Sequence, residues 1–192
     1  MKKELERLEE RCLSSELIFD GCVVHLYVDR VELPDGNSSI REYVKHIGAV
    51  AVLPLTDQNE VICVRQYRYA HRCLMTEIPA GKLDRADEDH VEAALRELRE
   101  ETGATCKSLT HLGIFRSTPA ILDEKVDLYL AEGLSFGETD LDEDEFLEVE
   151  RIPLSKLVEQ VMNGEITDGK TQVAILKVNE ILRRRAEQKE MV

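Results

Sequence analysis

The chain has 192 residues, 43% hydrophobic and 33% charged, a composition that supports one folded domain with a short appended arm and excludes a disordered chain. Its formal net charge of −14 argues against general binding to nucleic acids or anionic membranes. The five cysteines lack CxxC spacing, which indicates reduced thiols and not a disulfide or zinc framework. No signal peptide or long apolar run is visible, so a cytoplasmic protein is expected.

The first 46 residues are predicted to form an arm that contains a β-hairpin. The chain starts with a charged, helix-favouring segment. Apolar and polar residues alternate over 22–33, and a turn at 34–37 separates this strand from a second one at 40–46. We expect this arm, residues 1–46, to pack on the main body, residues 47–192, or to form a dimer with a second subunit.

The main body is predicted to be a mixed β-sheet sandwiched between helices, an α/β (α+β) architecture. A helix inserted among strands, with further helices closing the chain, favours this layered arrangement. The expected strands are 49–55, 60–67, 109–115, 126–131 and 146–152, and the later helices are 155–162 and 171–185.

A further helix is predicted between Asp89 and Gly103. Asp89 and Glu92 fit a capping box, and Gly103 stands where a left-handed residue would end the helix. An apolar stripe at helical spacing is expected to face the core. The residues of this stripe are Val91, Ala94, Leu95 and Leu98. The glutamates of the helix should then point away from the core.

Three glutamates, Glu97, Glu100 and Glu101, are spaced i, i+3, i+4 and would share one helical face. Adjacent carboxylates repel one another, so an ordinary helix gains nothing from stacking them. A hard divalent cation would offset this repulsion through oxygen ligands. The pattern therefore indicates a helix that holds Mg²⁺ against a phosphate; the alternative is a solvated acidic face.

The segment that starts at Gly81 resembles the Nudix box, a pattern of Gly, five residues, Glu, seven residues and then Arg-Glu-apolar-x-Glu-Glu-x-Gly-apolar. In the first half, six residues instead of five separate Gly81 from Glu88. An insertion before the helix would leave the metal-facing residues in register. The second half matches at every position, namely Arg96, Glu97, Leu98, Glu100, Glu101, Gly103 and Ala104.

Segments outside the box resemble the ADP-ribose pyrophosphatase branch of the Nudix superfamily. The resemblance implies a Nudix fold and Mg²⁺-dependent hydrolysis of ADP-ribose to AMP and ribose 5-phosphate, with Mn²⁺ as a possible substitute for Mg²⁺. It also implies a homodimer in which the N-terminal strands of one subunit help to form the nucleotide pocket of the other. The segments that carry it are 14–19, 28–36, 48–55, 64–68 and 77–82.

The resemblance implies roles for residues on the substrate side. Arg65 and Arg68 end an apolar strand and could fork onto phosphate, although surface ion pairs are the alternative. By resemblance, one of these arginines contacts the substrate diphosphate. Glu77 would border the terminal ribose or the metal.

On the metal side, the resemblance implies that Ala80 supplies a backbone carbonyl ligand before the flexible Gly81. Glu97 and Glu101 are the leading carboxylate ligands, and Glu100 is the next candidate. Arg96 is predicted to pair with the glutamates and fix their rotamers. Gly81 and Gly103 are expected to support the structure of the motif.

An acidic run at 140–145 is the candidate source of a general base, because related ADP-ribose hydrolases carry a loop glutamate before the following strand. We predict Glu145 for this role and Glu143 as the alternative, with Glu100 as a further catalytic candidate. Such a run can also be merely a solvated loop.

The loop at 117–124 departs from the pattern of the branch. That branch commonly has Ser-Pro-Gly-Phe/Tyr-x-Asp/Glu-Glu here, whereas this chain has Ala120 and Ile121 in place of the glycine and the aromatic residue. Glu124 is retained as a predicted substrate-binding residue. The departure leaves another nucleoside-diphosphate sugar, such as GDP-mannose, as an alternative substrate. A non-catalytic ADP-ribose-binding domain is a further alternative, which the complete glutamate set disfavours.

Overall fold

In the computed structural model, which describes residues 7–141 and 145–190, the chain divides into two units. The N-terminal unit consists of Met1–Ile47 and Arg116–Lys125, and the main unit consists of Gly48–Phe115 and Val126–Val192. The later segment joins the N-terminal unit through backbone hydrogen bonds to the strand that carries Val44. The sequence division at residues 46 and 47 stays a prediction.

The N-terminal unit contains an antiparallel three-stranded sheet in the order β1-β2-β3, with β1 at Arg11–Asp20, β2 at His25–Glu32 and β3 at Ser38–Lys45. The predicted hairpin corresponds to β2 and β3. Strand β1 was not predicted, because all ten of its residues are exposed and no alternation between core and solvent marks it.

The main unit is built on a mixed sheet in the order β12-β5-β4-β10-β9, in which β4 and β10 are parallel and the other neighbours are antiparallel. Strand β6 pairs with β5, and the short β7 pairs with β4. A two-stranded sheet joins β8 to β11. The strand bounds are β4 Ala49–Leu55, β5 Glu60–Arg68, β6 Cys73–Glu77, β7 Ala80–Lys82, β8 Ala104–Thr105, β9 Ser108–Phe115, β10 Val126–Glu132, β11 Ser135–Phe136 and β12 Leu147–Pro153.

Helices cover both faces of this sheet: α1 at His90–Thr102, α2 at Leu154–Met162 and α3 at Gly169–Glu190. All seven residues of β4 are buried, since alternate side chains enter two different cores. Val50 and Val52 pack with α1 residues, whereas Ala51 and Leu53 pack with residues of α2 and α3. Within the described residues, no helix is long and apolar enough to cross a membrane.

Candidate metal and diphosphate site

Capping residues fix both ends of helix α1. Asp89 Oδ1 accepts hydrogen bonds from the backbone N–H groups of Val91 at 2.9 Å and Glu92 at 3.0 Å. Gly103 ends the helix with a φ of 66°, a left-handed conformation that favours glycine. A Cβ atom at position 103 would also lie 2.4 Å from the carbonyl oxygen of Gly137. The register of the helix, and with it the direction of each glutamate, is thus set locally.

The buried face of α1 carries two of the glutamates, contrary to the sequence prediction. Glu97 and Glu101 are 7% and 2% exposed, whereas Val91 and Leu95 of the predicted apolar stripe are 45% and 39% exposed. Spacing arguments place side chains by polarity alone, but here the helix turns its carboxylates toward β7. Two carboxylates are therefore held in the protein interior.

Burial makes the ionised forms of these two carboxylates costly. It raises the pKa of Glu97 to about 7, an effect that Arg96 opposes and that the charges of Glu100 and Glu145 reinforce. Burial likewise raises the pKa of Glu101 to about 8, with the charges of Glu97 and Glu145 adding to it. A cation close to the pair would stabilise both ionised forms. The pair therefore has the electrostatic character of a cation-binding site.

Strand β7 lies directly against the two carboxylates. The backbone N–H of Ala80 donates to Glu101 Oε2 at 3.3 Å. A Cβ atom at position 81 would lie 2.1 to 2.3 Å from the carboxylate atoms of Glu97, so any side chain there would displace Glu97. The glycine that begins the motif is required by this close approach.

Arg96 gathers the acidic side chains of the motif. Its Nη1 donates to Glu97 Oε1 at 2.7 Å and to Glu100 Oε2 at 3.1 Å, and its Nε lies 3.4 Å from Glu88 Oε1. Partial burial lowers the pKa of Arg96, but the adjacent carboxylates outweigh burial and raise it. Glu88 reaches the same arginine although one extra residue precedes it. The insertion is thus absorbed in the loop, as its position in the sequence predicted.

The segment before β12 brings Glu145 into the electrostatic environment of α1. Its charge acts on both Glu97 and Glu101. Glu145 also lines a cavity of about 440 Å³ together with Arg65. The alternative base, Glu143, lies outside the described residues. Among the described residues of the acidic run, Glu145 is thus associated with the helix carboxylates through its charge.

The two arginines of β5 make different ion pairs. Arg68 donates from Nε and Nη2 to the two carboxylate oxygens of Glu77, at 2.6 and 2.7 Å, and Glu77 is 1% exposed. The Nη1 atom of Arg65 lies 3.9 Å from Glu150 Oε1. The charge of Arg68 also acts on Glu101, so Arg68 is associated with the helix carboxylates and Arg65 with the cavity of Glu145.

One cation of this region was missed by the sequence analysis. Lys170 Nζ lies 2.5 Å from Glu77 Oε2 and 3.1 Å from Asp168 Oδ2. No sequence motif identifies a lysine at the start of a helix. Its role as an ion-pair partner can be recognised only once Glu77 is known to be buried. Lys170 thus belongs to the ion-pair system of Arg68.

Glu124, predicted to bind substrate, lies in the N-terminal unit. It accepts a hydrogen bond from Ser117 Oγ at 2.9 Å, and its Oε1 lies 3.6 Å from His46 Nδ1. These contacts order the loop whose sequence departs from the ADP-ribose pattern. A role in substrate binding stays a prediction for this residue.

The donors of the motif suit a hard divalent cation. Glu97, Glu100 and Glu101 offer carboxylate oxygens, two of them on buried side chains whose ionisation calls for a positive partner. Among the residues described, no three His, Cys, Asp or Glu side chains already form a group that could hold a metal ion. Arg96 contacts Glu97 and Glu100, so these two side chains would have to give up part of their contact with Arg96 in order to bind a metal ion. Donor chemistry and burial therefore fit the cation.

Two family models match the chain. One, described as the NUDIX domain, matches residues 45–171. The other, described as the nucleoside diphosphate sugar hydrolase N-terminal domain, matches residues 10–44. Together they span both the strands of the N-terminal unit and the sheet and helices around the glutamates.

Two named relatives and a solved structure are similar to this chain over most of its length. The ADP-ribose pyrophosphatase of Bacillus subtilis (strain 168) is 47% identical, over 89% of this chain and 93% of that protein. The methanol dehydrogenase activator of Bacillus methanolicus is 43% identical, over 91% of this chain and 96% of that protein. The crystal structure of an ADP compounds hydrolase superposes with a TM-score of 0.80 at 23% identity, covering 92% of this chain and 95% of that one. This last likeness concerns the fold.

Proposed function

This chain belongs to the Nudix family of hydrolases, and we propose that it hydrolyses the diphosphate bond of ADP-ribose to AMP and ribose 5-phosphate. The observation that carries the proposal is the buried pair Glu97 and Glu101, which lies against β7 and within the field of Glu145. The name of the relative at 47% identity, ADP-ribose pyrophosphatase, supports this choice of substrate.

Members of this family generally need a divalent metal, and we propose Mg²⁺, with Mn²⁺ able to replace it. Glu97, Glu100, Glu101 and the carbonyl of Ala80 would hold the metal, since hard oxygen donors suit it. When bound, it would offset the charge of the diphosphate and lower the pKa of a water molecule. Arg96 would keep the glutamates in their rotamers through the contacts already present.

The side chains around this helix would then have separate roles in the reaction. Arg68 would bind the non-bridging oxygens of the diphosphate, with Glu77 holding its guanidinium in place. Arg65 would contribute positive charge from the adjacent cavity. Glu145 would accept the proton of the water whose oxygen bonds to phosphorus, while the bridging P–O bond breaks and its electron pair leaves with the departing phosphate.

A substrate panel tests the proposal directly. With Mg²⁺ present, the chain should hydrolyse ADP-ribose at least roughly tenfold faster than GDP-mannose, judged by kcat/KM. The measurement is phosphate released after alkaline phosphatase treatment, which detects the phosphomonoester products but not the intact diphosphates. Equal rates on both compounds would contradict the substrate assignment, and no hydrolysis of either would contradict the activity.

The loop at 117–124 favours a second candidate within the same enzyme class. Ala120 and Ile121 replace a glycine and an aromatic residue that are common in the ADP-ribose branch. Such a change alters the shape of the loop and could admit another nucleoside-diphosphate sugar. The same panel distinguishes this candidate, because a GDP-mannose rate above the ADP-ribose rate would select it.

We further propose that the chain works as a homodimer through its N-terminal sheet. Strand β1 is an edge strand with all residues exposed, and an exposed edge of this kind favours pairing with another chain. Large apolar side chains cluster on it and on the following turn. The most exposed are Leu13, Ile18, Phe19 and Val23. A second copy of this chain would cover them.

A charge placed on this surface should give a monomer. Phe19→Glu is expected to separate the subunits, since a carboxylate would be buried in an apolar interface. Light scattering coupled to size-exclusion chromatography measures the mass. Met162→Glu, at an apolar residue of α2 that is more exposed than Phe19, serves as the control and should remain dimeric. A monomeric wild-type chain at micromolar concentration would refute the dimer.

The cysteines favour a reducing compartment. All five carry free thiols, and burial raises the pKa of Cys63 to about 12, which leaves that thiol unreactive. Exported proteins more often join such residues in disulfides. We propose the cytoplasm as the place of action.

A further inference from the structure

Four charged side chains form a cluster where β5 and β6 meet the start of α3. Arg68 and Lys170 are its cations, and Glu77 and Asp168 are its anions. The Glu77 carboxylate binds both cations, and Lys170 in turn bridges Glu77 and Asp168. The formal charges of the cluster therefore cancel. Burial alone would raise the pKa of Glu77, but hydrogen bonds and charges from Arg68 and Lys170 outweigh it and lower the pKa.

The cluster lines a cavity and also acts on the helix glutamates. All four side chains border a cavity of about 690 Å³. Arg68 is the more accessible cation, with a side chain 38% exposed, whereas that of Lys170 is 13% exposed. The charge of Arg68 acts on Glu101. Arg68 is thus the cation that is accessible to an anionic substrate, whereas Lys170 is mostly buried.

Removing Lys170 would change the charge available to that substrate. Arg68 would be left as the single cation for two carboxylates, and the cluster would carry a net charge of −1. A buried carboxylate with one partner holds that partner tightly, because separating them exposes an uncompensated charge. Arg68 already pairs with both oxygens of Glu77, so its charge would be more than offset by the two carboxylates, and the local field would repel a diphosphate.

We propose that Lys170 is a positioning residue that acts through Arg68: by offsetting one of the two negative charges of Glu77 and Asp168 it keeps the cluster neutral, so that Arg68, held on Glu77 through Nε and Nη2, keeps its positive charge available to the substrate diphosphate. This inference rests on the proposed function. It assigns no contact between Lys170 and the substrate. Its consequence is a loss of substrate affinity, and not of chemistry, when the charge of Lys170 is removed.

The start of α3 provides a way to separate charge from structure. Asp168 caps the helix by accepting from the Thr171 backbone N–H at 3.0 Å. Thr171 is buried, and its Oγ1 accepts from the Ile78 backbone N–H at 3.0 Å, which ties the helix to the segment after Glu77. Asparagine is as good a cap as aspartate. Asp168→Asn therefore removes one negative charge and keeps the helix start.

Steady-state kinetics of the full chain with ADP-ribose and saturating Mg²⁺ test the inference. Lys170→Met should raise KM roughly five- to tenfold and change kcat by less than about twofold. Lys170→Arg should retain a near-normal KM. The double variant Lys170→Met/Asp168→Asn should recover most of the lost affinity, because the cluster is neutral again. Lys177→Met is the matched control: Lys177 lies on the same helix and donates to the Leu112 carbonyl, so KM should not change.

Three results would overturn the inference but leave the proposed function standing, provided that the wild type hydrolyses ADP-ribose. These are an unchanged KM in Lys170→Met, no recovery in the double variant, and an equal rise in Lys177→Met. A wild type that cleaves no nucleoside-diphosphate sugar overturns both. If circular dichroism shows that Lys170→Met is unfolded, the KM of the single variant Asp168→Asn tests the inference instead. Its cluster carries a net charge of +1, so KM should fall about two- to fivefold, and an unchanged or higher KM overturns the inference.

Discussion

Glu97→Gln and Glu101→Gln are each expected to lower kcat/KM by about 10²- to 10³-fold in the presence of Mg²⁺. Glutamine is nearly isosteric with glutamate but carries no charge, so the substitution removes the electrostatic attraction for the cation and keeps the packing of α1. The hydrogen bond from the Ala80 N–H can still be accepted by a glutamine oxygen. Hydrolysis of ADP-ribose across a Mg²⁺ titration measures the loss.

The same substitutions should stabilise the metal-free protein at alkaline pH. The pKa values of Glu97 and Glu101, about 7 and about 8, lie above the ordinary value of 4.5. The folded chain therefore binds more protons than the unfolded chain at intermediate pH, and its free energy of unfolding falls as pH rises from about 4.5 through about 8. Near pH 8.5, Glu101→Gln should melt about 3 to 6 °C above the wild type. Below about pH 4.5 this difference should vanish, since the carboxyl groups are then protonated in both states.

An exposed glutamate of the same helix provides the control. Glu92→Gln should keep both the activity and the pH dependence of the wild type, since Glu92 is exposed. Adding Mg²⁺ should raise the melting temperature of the wild type and of Glu92→Gln, but much less that of Glu101→Gln. Activity that survives both Glu97→Gln and Glu101→Gln would refute the role of this helix in metal binding.

The elements predicted best from the sequence are those with local signals. The apolar run at Ala49–Leu55 became β4 with the same bounds, because a strand buried on both faces needs continuous apolar residues. Helix α1 begins after Asp89 and ends before Gly103, since a capping carboxylate and a left-handed glycine act within one turn of the helix end. These features need no knowledge of the rest of the fold.

Features that depend on distant partners could not be predicted in the same way. Strand β1 is exposed throughout and exists because β2 pairs with it. The burial of Glu97 depends on the missing side chain of Gly81, a contact between a strand and a helix. Lys170 acquires its partner Glu77 from a segment 93 residues away. For Glu97 and Lys170 the determining contact is tertiary, and for β1 no burial pattern marks the strand, whereas periodicity reports only the neighbours along the chain.

One property of the metal motif could be predicted from the sequence, and another could not. The identity and spacing of its glutamates indicated a cation-binding helix, but the helical wheel turned Leu95 inward and the glutamates outward. The structure confirms Ala94 and Leu98 of the predicted apolar stripe as buried but reverses the rest, with Glu101 nearly inaccessible and Leu95 exposed. A buried carboxylate is costly unless something compensates its charge, and this cost is itself the evidence for a function. The positions at which the hydrophobic pattern and the observed burial disagree therefore locate the site more precisely than the motif does.

Glu145→Gln is expected to lower kcat by about 10²- to 10⁴-fold and to leave KM for ADP-ribose within about threefold of the wild-type value. Glutamine cannot accept a proton from the attacking water, whereas the groups proposed to bind metal and diphosphate stay in place. The charge of Glu145 acts on Glu97 and Glu101, and this interaction is the reason for choosing it as the base. Single-turnover and steady-state kinetics separate the chemical step from binding.

The pH dependence distinguishes a general base from a residue that only shapes the loop. The rate of Glu145→Gln should rise with pH as hydroxide replaces the missing base, so its deficit relative to wild type should shrink in alkaline solution. A shape defect would persist at every pH. Glu138→Gln, at an exposed residue on the approach to the acidic run, should behave as wild type. If Glu143→Gln shows the large loss and Glu145→Gln turns over near normally, the base is Glu143 and the assignment to Glu145 is wrong.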